Sequence, residues 1–187
     1  YKKTLIRSFV YIVAVNLAFS IDIILMKYFM SSETVGMYNS VAVLSKAVFF
    51  SSMAINKSVF PKFSSSKGDL WLLKISTAVL LIQGVIATVF FALFGTEFLS
   101  FTFGASYAAA ASFAPAYMVF VILLSGVSMA GNYFLAVDSK TLWLIVAMPI
   151  LETILIGFFH SSVQDFIFSA SVASAFTLAL MVSFEYV

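Results

Sequence analysis

Six apolar runs follow one another along this sequence, and each is long enough to cross a lipid bilayer as a helix. They are Leu5–Phe29, Met37–Phe60, Leu70–Phe94, Ala114–Phe134, Leu142–Phe159 and Phe166–Tyr186. A helix rises about 1.5 Å per residue, so about 20 apolar residues cover the hydrocarbon core. A membrane β-barrel would show strands of about ten alternating residues instead, and these runs do not alternate. A soluble fold is excluded by composition. The chain is 63% hydrophobic and 10% charged, against about 45–50% and about 25% for soluble domains. The expectation is an all-α polytopic protein, a single bundle of six transmembrane helices.

Punctuation between the runs fits this reading. Ser31–Ser32–Glu33 and Gly36 mark the first link, and Pro61 to Gly68 the second. Gly95 and Gly104 bracket a longer third link containing Glu97. Pro115 suits the first turn of the fourth helix, where no N–H is needed. Pro149 falls inside the fifth run and predicts a kink three residues before Glu152. The basic start (Lys2, Lys3, Arg7) ahead of an apolar run resembles a signal peptide, yet the run continues past Asp22 with no small-residue cleavage site. Because it opens at Tyr1 rather than Met, the chain reads as a piece of something longer.

Basic residues alternate between links. The N-terminus holds Lys2, Lys3 and Arg7, the second link region Lys57, Lys62, Lys67 and Lys74, and the fourth link Lys140. The first link has Glu33 with Lys27 at its helix end, the third has Glu97, and the fifth has Asp165 beside His160. Lys and Arg favour the cytoplasmic side, so both termini are expected there.

Three charges lie within the apolar runs: Asp22, Lys46 and Glu152. At membrane depth such groups are costly, and they mark pairs or polar paths. Asn39, Lys46, Met53 and Lys57 share one helical stripe, since steps of seven and eleven residues return to nearly the same face. Lys46, near mid-helix, is either a cation for an anionic substrate group or half of a buried pair with Asp22 or Glu152. Asp22 and Glu152 are candidates for coupling to an ion or for ion pairing. Asn16, Gln83 and Asn132 are expected to bond between helices, and the small residues from Ser125 to Gly131 to let helices approach closely.

Much chemistry is excluded. With no Cys and one His, neither disulfides nor thiolate or histidine metal clusters are available. The net charge of +2 is dispersed, which argues against nucleic acid. No phosphate loop or nucleophile–base pair is present, so neither an enzyme nor a cofactor is expected.

One resemblance runs the length of the chain. Asp22, Leu25–Met26–Lys27–Tyr28–Phe29, Val35–Gly36–Met37–Tyr38 and Ala42 resemble the start of the C-terminal lobe of polysaccharide (O-unit) flippases. These belong to the multidrug/oligosaccharidyl-lipid/polysaccharide exporter superfamily. Val59–Phe60–Pro61 with Ser64, and Phe94–Gly95 through Phe103–Gly104 and Tyr107, resemble later junctions of the same lobe. The resemblance implies one six-helix lobe of a two-lobe transporter in a bacterial cytoplasmic membrane. It implies alternating access, lipid-linked oligosaccharide as substrate and O-antigen-type polysaccharide biosynthesis as the purpose. The implied partners are a missing N-terminal lobe, membrane lipid, H⁺ or Na⁺ as coupling ion, and polysaccharide polymerase machinery. Lys46, with Asn39 and Lys57, is then the cavity candidate for the diphosphate. A drug/cation antiporter of the superfamily and a non-transporting scaffold subunit are the alternatives.

Overall fold

The computed structural model describes residues 2–65 and 69–184. Lys67 and Gly68 of the second link and Tyr186 at the end of the sixth run lie outside these. Among the described residues there is no strand. The chain is all-α, and six of its helical stretches are long and apolar enough to cross a membrane.

In chain order the helices are α1 (Lys2–Ala18), α2 (Ile21–Phe29), α3 (Ser32–Ser65), α4 (Leu70–Phe103), α5 (Ala114–Ala136), α6 (Ala147–Phe158) and α7 (Val163–Ser183). Two 3₁₀ segments, Ala105–Ser112 and Lys140–Val146, precede α5 and α6. The first span is therefore α1 plus α2, and the fifth is a 3₁₀ segment plus α6.

Three boundaries differ from expectation, because a helix stops where its end groups are capped rather than at every Gly or Pro. α3 passes through Gly36 and Pro61, and α4 passes through Gly95 and Glu97. Gly95 is not a break. It is buried where α4 meets the first 3₁₀ segment, and a Cβ there would touch Ala111 at 3.5 Å. α4 ends instead at Gly104, whose φ of 102° suits only a residue without a side chain. Ser31 starts α3 by accepting a hydrogen bond from the Thr34 N–H at 3.3 Å. Asp69 does the same for α4 through the N–H groups of Trp71 and Leu72.

The first span is split, which no Gly or Pro announces. Leu17 accepts the Ser20 N–H at 3.0 Å in a tightened turn, and α2 begins at Ile21. Pro149 also acts differently from a mid-helix kink. It sits in the first turn of α6, where its missing N–H costs least, and the span up to Val146 is wound as 3₁₀ helix. Pro115 stands in the first turn of α5 as expected.

α5 is the central helix and packs on α3, α4 and α7. Its small-residue stretch does allow close approach. A Cβ on Gly131 would lie 2.6 Å from the Tyr11 ring, and one on Gly126 3.3 Å from Leu178. α4 is peripheral, with Leu81, Ile82, Val85, Ile86, Leu93 and Phe94 exposed as a lipid-facing surface would be. The two pieces of the first span go different ways. α2 packs on α3 and α6, while α1 leans on α5, α6 and the second 3₁₀ segment and makes little contact with α3. A cleft opens between α1 and α3 as a result.

Candidate functional site

The cleft has a volume of about 400 Å³. Its walls are Tyr11 and Ile12 from α1, Met53 and Lys57 from α3, and Asn132 and Leu135 from α5. Met53 and Lys57 line the cleft, and Lys46 and Asn39 continue the same helical face away from it. Asn39 and Lys57 are exposed, and Lys46 is half-buried.

Lys46 holds its ammonium 5.3 Å from the centre of the Phe19 ring, a cation–π contact at the split in the first span. Phe19 in turn packs on Phe49 at 4.6 Å between ring centres. Asp22 is near enough to feel the Lys46 charge. Among the described residues, however, no ion pair within 4.0 Å joins Lys46 to Asp22 or Glu152. The expected alternative of a contact pair is not formed.

Asp22 and Glu152 come together but in unlike settings. Both are fully buried, and each interacts electrostatically with the other. Asp22 is held by three donors: the Tyr38 hydroxyl at 2.6 Å, the Tyr117 hydroxyl at 3.2 Å and the Ile23 N–H at 2.7 Å. The last belongs to the first turn of α2, where the helix dipole favours a carboxylate. Neither oxygen of Glu152 has a hydrogen-bond partner among the described residues. The rings of Tyr38 and Tyr117 meet edge-on at 5.2 Å, so they brace each other as well as Asp22.

Sequence reasoning missed two further polar groups. Tyr11 bonds to Ser128 through both its carbonyl at 3.0 Å and its hydroxyl at 2.9 Å, and the Asn56 amide donates to the same hydroxyl at 3.2 Å. This buried network ties α1, α3 and α5 together behind the cleft. Nearer the N-terminus, Arg7 is buried and paired with Asp138, which Lys3 also contacts at 3.3 Å. Asp138 takes a left-handed φ of 56°, which Asp tolerates better than most residues. It is Asp138, two residues before the basic Lys140 of this link, that makes the contact.

The mid-span amides divide. Gln83 bonds between helices, donating to the Val48 carbonyl at 3.0 Å and to the Ser51 hydroxyl. Asn16 does not among the described residues, and donates to the Ile12 carbonyl one turn back in its own helix at 2.7 Å. Asn132 lines the cleft. Asp165 forms a capping box with Ser162 at the start of α7, a signal present in the sequence as Ser-x-x-Asp. His160 stacks on Phe29 at 4.1 Å.

No family model matches the chain, and no curated protein or solved structure matches it either.

Proposed function

We propose that this chain is a lobe of a transporter that flips undecaprenyl-diphosphate-linked oligosaccharide repeats across a bacterial cytoplasmic membrane by alternating access. The observation that carries the reading is Lys46. It is a cation within a turn of the midpoint of α3, half-buried, with no contact ion pair among the described residues. An intramembrane charge kept this way is functional by default. It meets Phe19 at the split in the first span, and the cleft lies farther along the same face of α3. An anionic diphosphate is the complement of such a cation.

The division of the first span supports the motion that alternating access requires. A helix broken beside a polar layer has a short segment that can absorb a change in φ and ψ, as hinges do. Asp22 and Glu152 are then the residues for ion coupling, buried beside that segment. The rival antiporter of cationic drugs would need acidic groups facing the cleft, and both carboxyls are turned into the bundle instead.

The test is Lys46→Ala in the native host. Surface polysaccharide is expected to fall to background while the amount of protein in the membrane is unchanged, and Lys46→Arg is expected to restore a part of it. Normal polysaccharide in Lys46→Ala removes Lys46 from substrate handling and with it the reading.

A further inference from the structure

We infer that the cleft between α1, α3 and α5 is a binding site for an anionic phospholipid of the adjoining leaflet, with Lys57 on its headgroup and the apolar wall along its chain. The inference does not rest on the transport reading, but it gives the cleft and Lys57 to a resident lipid rather than to transported substrate, and the test below separates the two.

Two independent lengths place that level. α5 has 23 residues, so it measures about 35 Å and nearly matches a hydrocarbon core of about 30 Å. Asn132 and Leu135 lie in its last turns and hence at the edge of the core. On α3, Lys57 is about 13 Å along the axis from the midpoint of the helix, just inside a half-core of about 15 Å. Both helices put the mouth of the cleft close beneath the headgroups, where a lysine stem reaches them by snorkelling. Inward from it, Ile12 and Met53 offer an apolar wall.

Charge selects the occupant. Lys57 is exposed, and it has no ion-pair partner among the described residues. It lines an otherwise mostly apolar cleft together with the Asn132 amide and the Ser8 hydroxyl. A zwitterionic lipid would bring its own cation to that mouth, whereas an anionic phosphodiester with a neutral alcohol would not. Basic pockets between transmembrane helices bind anionic headgroups for this reason. The volume of about 400 Å³ admits part of a chain beside a headgroup and suits a lateral groove open to lipid.

The experiment is native mass spectrometry of the delipidated protein in detergent micelles, titrated with phosphatidylglycerol or phosphatidylcholine of identical chains. Phosphatidylglycerol is expected to be retained about five-fold better, the preference one lysine confers near a membrane surface. Lys57→Gln should abolish that preference and Lys57→Arg restore it. Leu135→Trp, which fills the groove, should lower occupancy by both lipids. Lys140→Gln, a change to an exposed lysine outside the cleft, should leave the preference intact. Equal retention of the two lipids by the unaltered protein overturns the inference. So does a loss in Lys140→Gln as large as in Lys57→Gln, since diffuse surface charge then accounts for the effect. If undecaprenyl phosphate displaces phosphatidylglycerol at equal concentration, the cleft belongs to a transported prenyl lipid and the phospholipid assignment is wrong.

Discussion

Asp22 and Glu152 are both fully buried acids in the same part of the bundle, and their unlike hydrogen bonding makes them unequal to replace. Asp22 cannot change without breaking bonds to Tyr38, Tyr117 and Ile23. Hydrogen bonds to a charged group contribute about 1.5–3 kcal/mol each, so Asp22→Ala is expected to destabilise the bundle by several kcal/mol. Glu152 has no hydrogen-bond partner among the described residues, so an amide can replace its carboxyl without breaking such a bond. Glu152→Gln should therefore unfold within about 1 kcal/mol of the parent, while transport loses its dependence on the proton gradient. Thermal unfolding in detergent and uptake into proteoliposomes with and without a gradient separate the two effects. Unchanged gradient dependence in Glu152→Gln would remove that residue from coupling. The three charges were legible in the sequence because charge in an apolar run stands out by itself. Their partners were not. Tyr38 lies 16 residues from Asp22 and Tyr117 lies 95 away, and nothing local distinguishes them from the other aromatics of a lipid-facing chain.

Among the elements, α7 is the helix whose start depends most clearly on side chains. Ser162 accepts the Asp165 N–H at 3.3 Å, and the Asp165 carboxylate accepts the Ser162 N–H at 2.8 Å. Ser162→Ala is expected to cost about 1 kcal/mol, with Ser162→Thr recovering most of it. Equilibrium unfolding in mixed micelles measures this, and no change would mean that packing alone holds the end of α7. The spans themselves were readable because each averages its signal over about 20 residues. Their ends depend on single residues. Gly36, Pro61 and Gly95 look like stops, but α3 and α4 continue through them, because one poor residue does not end a helix where no cap satisfies the end groups. The split at Phe19 and Ser20 had no signal at all. It coincides with contacts made from a distance, the Phe19–Phe49 and Lys46–Phe19 pairs, which a single run of sequence does not contain.

For the whole molecule, the absence of cysteine makes orientation directly measurable. Ser106, Ser161 and Lys140 are exposed, and with both termini cytoplasmic, as the basic links lead one to expect, the first two would lie at the outer ends of the bundle and Lys140 at the inner end. Single cysteines at 106 and 161 should then react with a membrane-impermeant maleimide in intact spheroplasts. A cysteine at 140 should react only after lysis. The reverse pattern would invert the bundle and place the lysine-rich end outside. Length adds a separate consequence. α3 and α4 have 34 residues each, or about 51 Å, against a core of about 30 Å. Tilt removes only part of the excess, because even at about 40° such a rod still reaches about 39 Å along the membrane normal. Both helices therefore carry stiff tips clear of the hydrocarbon. If the bundle rocks as the proposed function requires, a binding fragment clamped on those tips should brake transport from outside the bilayer, without touching Lys46 or the cleft.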